Sequence, residues 1–507
     1  MTAESPLFEP VLWDGDGFRI LDETALPERI AYLRVREIGE AVDAVREMKT
    51  RAFGQVLAFL YSAALLGQAH GGDPESLRER LGAMTERFRA ARPTFDFAGL
   101  AAVLESSFER WPKAGAGEWV AGEARRFAAQ IVEARRARAR HAAALLPESA
   151  RVLTHCNISG ELVAVAAAAR AAGKDFSVMA TETRPYLQGS RLTAWELARA
   201  GIDVAVIPDC AVAQAMARGA VNCVLVGSDR VARNGDIVNK VGTYPLALMA
   251  REYRIPFYAL VQEPRGLERG GDAPIEERPG SELLTFQGRP VVPAEGAAVA
   301  VRYPAFDITP GELITSFVTF EGVLSPAEFR LRYAGSCSDA GQRPGAARYL
   351  LVYGVPGESG CSFLRHALKA EEAENVLVAE MRPELRGARQ AVPALLRRGV
   401  PTALISDAMM GALFSAGEIA KVYLFYQAMN ERGVVAPCGA LLAAQLARLH
   451  GVAVELIEAG EDQAQAADRD VATFLGSRVC PEGASIYAVE NDALPWAVLR
   501  GGAGGEE

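Results

Sequence analysis

Two short apolar runs in this chain end on side chains that can handle protons. "RVLTHCNISG" carries Cys156 after a run that reads as a β-strand and before a helix, and "VNCVLVGSD" ends on Asp229. A thiol at a helix N-terminus feels the positive end of the helix dipole, which predicts a lowered pKa for Cys156. A carboxyl at a strand end serves as acid or base where its surroundings raise its pKa, which is the expectation for Asp229. The structural alternatives are a small buried thiol and a turn-capping carboxylate. "NGDIVNKVGT", from Asn234 to Thr243, reads as a Gly-containing loop opening a helix, and its backbone amides with Lys240 would suit a phosphate. His155 alternates away from the cysteine if the strand continues and is read as structural. No GxGxxG, Walker, GxSxG or HExxH pattern occurs.

The chain supplies its own comparison. "ATETRPYLQGSR" (from Ala180) and "VAEMRPELRGAR" (from Val378) share six of twelve positions, 198 residues apart. The same offset matches about 80 residues without a gap, so an internal duplication of one α/β domain is expected. Glu182, Arg184, Pro185, Gly189 and Asp209 recur as Glu380, Arg382, Pro383, Gly387 and Asp407. Polar residues at the strand ends do not: Cys156 becomes Gly354, Asp229 becomes Gln427, Gln188 becomes Arg386, and continuing the offset gives Pro437 for Asn239 and Cys438 for Lys240. Joint loss of Cys156 and Asp229 suggests one shared role.

Stepping outward, strands must alternate with helices of about ten residues from Arg151 onward, which predicts βαβ units, a Rossmann-like parallel sheet and a ligand at the carboxyl ends of the strands. Before it, residues 27–147 read as mainly helical. Residues 263–300 are a long excursion, and "AFDITPGELITSFVTFEGVL" is expected to bring a final helix. The fold class is α/β, with a helical domain over residues 1–148, a Rossmann-like catalytic domain over 149–326, and a degenerate copy over 327–507.

With 507 residues the chain exceeds one ordinary core. Its net charge of −9 offers no domain-wide basic surface for nucleic acid. Seven scattered cysteines without a CxxC pair fit a reducing cytoplasm and argue against a disulfide framework or a zinc site. No apolar run of about 20 residues suits a membrane span.

Long stretches, "ATETRPYLQGSRLTAWELARAGIDVAVIPD", "VGSDRVARNGDIVNKVGTYPLALMAREYRIPFY" and "APIEERP", resemble the methylthioribose-1-phosphate isomerase family. Its superfamily includes ribose-1,5-bisphosphate isomerase and the regulatory subunits of translation initiation factor 2B. The resemblance covers about residues 1–326. It implies a proton donor at Asp229, a thiol at Cys156 that assists or shields the transition state, and substrate contacts from Gln188, Asn239, Lys240 and Arg92. The family's phosphate segment corresponds to "TRAFGQVL", which keeps Arg51 but has Ala52 where the family has glycine. Glu161 and Phe97 also depart from the family's small residue and asparagine. The implied activity is an aldose–ketose isomerisation of a pentose 1-phosphate, namely 5-methylthioribose 1-phosphate in methionine salvage, with no metal or organic cofactor. The alternatives are a ribose-1,5-bisphosphate-type isomerase and a non-catalytic sugar-phosphate sensor. The implied partner is the sugar phosphate, with a homodimer or an internal pseudo-dimer through the second copy.

Overall fold

The structure, a computed structural model, describes residues 4–70, 73–93, 95–106, 110, 112, 115–293, 299–333, 348–459, 470–487 and 491–499. The amino-terminal region holds an antiparallel meander of β1 (Val11–Trp13), β2 (Phe18–Leu21) and β3 (Tyr32–Val35). Among the described residues five α-helices follow: α1 (Ile38–Arg46), α2 (Phe53–Ala69), α3 (Pro74–Ala91), α4 (Phe97–Glu105) and α5 (Ala116–Leu145). The expectation of helix from residue 27 onward missed β3, whose alternating side chains pair it with β2. Helix α2 is apolar nearly all round and is accordingly buried. Phe97 is fully buried with Phe59 and Phe88, ring centroids 5.1 to 5.6 Å apart, which explains an aromatic residue at that position.

The first α/β unit runs β4 (Ser149–Thr154), α6 (Glu161–Ala171), β5 (Asp175–Thr181), α7 (Ala194–Arg199), β6 (Asp203–Ile207), α8 (Val212–Ala217), β7 (Cys223–Val226), β8 (Arg230–Val231), β9 (Ile237–Lys240), α9 (Thr243–Glu252) and β10 (Phe257–Leu260). The excursion adds α10 (Ser281–Leu284), β11 (Thr285–Phe286), β12 (Arg289–Pro290) and β13 (Ala300–Val301). Then come β14 (Phe306–Thr309), β15 (Ser316–Val318), β16 (Val323–Leu324) and α11 (Pro326–Tyr333). The final helix expected in "AFDITPGELITSFVTFEGVL" is instead three strands: the segment is rich in β-branched residues, Pro310 and Gly311 allow only a single 3-10 turn at Gly311–Leu313, and α-helix starts only at Pro326. Phe329 of α11 stacks on Phe317 of β15 at 4.2 Å.

The second unit runs β17 (Tyr349–Tyr353), α12 (Glu358–Ala370), β18 (Asn375–Ala379), α13 (Val392–Arg397), β19 (Thr402–Ile405), α14 (Met410–Ser415), β20 (Ile419–Tyr426), β21 (Ala428–Asn430), β22 (Gly433–Ala436), α15 (Ala440–Leu449) and β23 (Val454–Glu458). It ends with β24 (Thr473–Phe474), β25 (Ser477–Arg478), β26 (Ser485–Ile486), β27 (Asp492–Pro495) and α16 (Trp496–Leu499).

One sheet has the order β16-β15-β10-β7-β4-β5-β6-β26 and the other β13-β19-β18-β17-β20-β23. From β6 to β10 and from β19 to β23 the strand order is the same. Their central strands are continuous apolar runs, as a sheet covered on both faces requires. Each unit lends an edge strand to the other: β13 pairs with β19 and β26 pairs with β6, both parallel. Helix α9 packs against α14, and α8 against α15. One apolar core runs through both sheets.

Candidate functional site

Cys156 follows the carboxyl end of β4 and Asp229 that of β7, and the chain continues from β7 into the small antiparallel sheet β14-β9-β8. After β4 the chain turns sharply. Cys156 adopts φ 64°, a left-handed conformation that costs a non-glycine residue about 1–2 kcal/mol. Its amide donates to Thr183 Oγ1 at 2.9 Å and its carbonyl accepts from Thr193 Oγ1 at 2.7 Å.

The thiol's expected acidity is corrected by the structure. Cys156 lies five residues ahead of the first residue of α6 and is half-buried, and desolvation by the surrounding protein pushes the thiol up to about 11; Lys240 opposes this and Asp229 adds to it. At neutral pH the group is an uncharged thiol. Asp229 follows the expectation: burial raises its carboxyl above the ordinary range, against the pull of Lys240 and Arg92. The residue is nevertheless exposed, so its carboxyl is open to solvent and to a ligand.

Asn239 and Lys240 are on strand β9, not on a loop, and both are buried. The amides ahead of helix α9 are not free for a phosphate either: Gly242 and Tyr244 donate theirs to Asp307 Oδ2, at 2.7 and 3.1 Å. What remains of that reading is the Lys240 cation, 4.6 Å from the Phe306 ring and 5.9 Å from the Tyr186 ring. Burial lowers the Lys240 pKa, while Cys156 and Asp229 raise it and Arg51 and Arg92 lower it further. These five side chains, from the helical domain, β4, β7 and β9, therefore act on one another electrostatically in one crevice.

Arg51 lies 5.9 Å from the Tyr186 ring, and its buried Nε has no hydrogen-bond partner. Gln188 is likewise buried with Oε1 unpartnered. Unsatisfied buried polar atoms are costly, and the Arg51 Nε, on a side chain that shares the Tyr186 ring with Lys240, fits a polar ligand. Ala52 takes φ 40° at the start of α2, a conformation that glycine adopts more easily than alanine. Arg92 ends α3 with Nη2 4.0 Å from Glu276.

Sequence reasoning missed the wall built by the excursion. Arg278 donates to the Tyr186 hydroxyl at 2.7 Å and to Glu276 at 2.7 Å, and Tyr186 donates to Glu282. The signal lay in the run "APIEERP", read only as part of a resemblance. His155 is buried and structural: Nδ1 meets Thr181 Oγ1 at 2.7 Å, Nε2 meets the Val241 carbonyl at 2.9 Å, and burial holds its pKa down at about 4. Glu161 is buried between Arg135 and Arg138 of α5, which supply the countercharge for a carboxylate where a small residue is usual.

At the corresponding strand end of the second unit an aromatic side chain packs against glycines. Phe425 stands where the first unit has Gly227, and its side chain lies against Gly354 and Gly360. The pairing of the two units also slips by one residue at the hairpin. Asp229 N bonds the Val238 carbonyl and Gln427 N bonds the Val435 carbonyl, so Asn239 answers to Ala436 and Lys240 to Pro437, not to Pro437 and Cys438 as the constant offset gave. The β21–β22 turn is one residue shorter than the β8–β9 turn.

The family described as "Initiation factor 2 subunit family" matches residues 57–326 and 348–457. A methylthioribose-1-phosphate isomerase of Desulforudis audaxviator is 42% identical over 336 residues, 63% of this chain and 94% of that protein. One of Thermotoga neapolitana is 38% identical, covering 62% and 94%. Among solved structures, 5-methylthioribose 1-phosphate isomerase from Pyrococcus horikoshii superimposes with a TM-score of 0.57 at 31% identity, covering 64% of this chain and 94% of that one. The delta subunit of initiation factor eIF-2B from A. fulgidus gives 0.54 at 33% identity, covering 62% and 96%.

Proposed function

The chain belongs to the Initiation factor 2 subunit family, and from that premise we propose that it is an aldose–ketose isomerase converting S-methyl-5-thioribose 1-phosphate to S-methyl-5-thioribulose 1-phosphate, a step of methionine salvage. The observation that carries this is the crevice shared by Cys156, Asp229, Lys240, Arg51 and Arg92, in a chain that over 336 residues is 42% identical to a protein of that name.

The chemical difficulty is the anomeric phosphate, which keeps the ring from opening as a free hemiacetal does. Asp229, its carboxyl raised by burial, gives its proton to the ring oxygen as the C1–O bond breaks. The hydrogen on C2 moves with its electron pair to C1, and the C2 hydroxyl proton passes to the Asp229 carboxylate. A C2 carbonyl results, with the phosphate still on C1. The alternative enediol route needs a base to take the C2 proton, and a thiol held at about 11 is a poor one, so hydride transfer suits these groups better. Cys156 then packs against the reacting carbons and keeps water away. Lys240, Arg51 and Arg92 balance the phosphate charge, and Gln188 and Asn239 hold hydroxyls.

Turnover of the purified protein with methylthioribose 1-phosphate, ribose 1,5-bisphosphate and ribose 1-phosphate tests the substrate. Running the reaction in deuterium oxide tests the route: hydride transfer leaves C1 free of solvent deuterium, and deuterium at C1 refutes it. Activity on none of the three removes the proposal.

Residues 349–499 are, on the same reading, a second copy of the α/β unit that has lost the site and covers the face through which two chains would pair. Support comes from the family match to residues 348–457, the shared strand order and the exchanged edge strands. Helix α12 also exposes Ser362, Arg365 and His366, where α6 presents alanines on the side toward α5, so no second helical domain is accommodated. Light scattering should then give one chain of 54.2 kDa; a dimer built through β6 and α8 contradicts this.

A further inference from the structure

A set of side chains holds the left-handed backbone of Cys156. Thr183 and Thr193 take its amide and carbonyl. The Asn157 amide nitrogen reaches Thr193 Oγ1 at 3.0 Å and Glu196 Oε1 at 2.9 Å, while Asn157 Oδ1 accepts from the Ser159 amide at 2.9 Å. Glu196, 1% exposed, is completed by Ser5 Oγ at 2.6 Å, which ties the amino-terminal arm to the same point.

The second unit gives the control. Cys156, Asn157, Thr183, Thr193 and Glu196 are replaced there by Gly354, Val355, Met381, Ala391 and Ala394. What shapes the turn alone is kept: Asp209 accepts the amides of Thr183 and Arg184, and Asp407 those of Met381 and Arg382. The strand end folds without the clamp when glycine, at φ 100°, replaces the thiol. The clamp therefore serves the thiol, not the fold.

We propose that Glu196, acting through Asn157 and Thr193, is a positioning residue that clamps Cys156 for the isomerase reaction. The inference rests on the isomerase reading only for what the thiol does. Burial, opposed by Ser5, Asn157, Arg135 and the Gly160 amide, raises Glu196 to about 7. The groups facing it are Ser5 of the arm, Asn157 and Gly160 of the β4–α6 loop, and Arg135 of α5, itself paired with Glu161 beside Arg138. Ionised, the carboxylate accepts from both Ser5 and Asn157 with charge assistance. Protonated, it loses that assistance and the clamp slackens.

The test uses the full chain. Glu196→Gln should lower kcat roughly tenfold with KM within about twofold, the signature of a misplaced group rather than of lost binding. The rise of kcat through pH about 7 in the parent should vanish. Thr193→Val should reproduce both effects with Glu196 intact, and Thr193→Ser should restore them, which covers the case where Glu196→Gln fails to fold. Alkylation of Cys156 by iodoacetamide reads the clamp without the reaction: the parent should show an inflection near pH 7 that Glu196→Gln and Thr193→Val lack. That inflection in a protein inactive on every pentose phosphate tested would sink the substrate assignment and keep the clamp. Unchanged kcat, pH limb and alkylation profile in Glu196→Gln or Thr193→Val would overturn the clamp.

Discussion

Arg184 forks onto Glu380, with Nε and Nη2 each 2.9 Å from a carboxylate oxygen, at a point where both side chains are sealed from solvent. Arg382 makes the reciprocal pair with Glu182 at 3.0 to 3.1 Å. Each half of the chain thus supplies one carboxylate and one guanidinium to the other. Removing a single partner strands a buried charge. Glu380→Gln is therefore expected to destabilise the chain by about 3–5 kcal/mol, and Glu182→Gln by a similar amount, read by chemical denaturation.

Asp229→Asn removes the proposed proton donor without changing its shape and should lower kcat by several orders of magnitude with little change in melting temperature. Besides the rise set by Glu196, the parent's activity should show a descending limb as pH rises through the Asp229 pKa, because the acid must carry its proton, and burial places that limb above the ordinary carboxyl range. Cys156→Ser should also cut turnover heavily. Normal turnover in both variants would end the catalytic assignment.

Glu196 couples function to stability with a definite sign. Its pKa is raised to about 7 in the folded protein and is about 4.3 when unfolded, so its contribution is fully present below the unfolded value and is lost as pH rises through about 7. The melting temperature of Glu196→Gln relative to the parent should therefore be higher at pH 8 than at pH 5. A pH-independent difference would show that the carboxyl does not titrate there.

Gln188 is held with a buried oxygen unpaired. Gln188→Leu should gain roughly 1 kcal/mol in stability, because the cost of an unmet acceptor disappears, while KM for the sugar phosphate rises about tenfold or more. Equal KM in the variant would take Gln188 out of the substrate's reach.

Ala52, at φ 40°, is strained where glycine is not. Ala52→Gly should stabilise by up to about 1 kcal/mol, since relief of left-handed strain exceeds the added flexibility of the unfolded chain. Calorimetry reads the change.

Much of this was legible in the residues. The alternation of apolar runs with ten-residue helical segments fixes an α/β class, because a strand buried on both faces must be apolar throughout. The "THCN", "LQG" and "SDR" stretches named Cys156, Gln188 and Asp229 as candidates. The recurrence in "LTFQGRPVVP" and "ATFLGSRVCP" was missed. Insertions shift its spacing from 198, and the segments are too short to stand out, yet they form the matching hairpins β11–β12 and β24–β25, with Phe286 and Phe474 edge to face at 4.8 Å.

By itself, then, the sequence determined which side chains are available and which segments become strands and helices, because local periodicity and backbone chemistry act over a few residues. The tertiary structure alone decided that Cys156 is an uncharged thiol, that Asp307 consumes the amides expected to bind phosphate, and that each half lends an edge strand to the other. Desolvation, countercharge and hydrogen-bond competition depend on neighbours far away in the chain, and those neighbours exist only once the chain has folded.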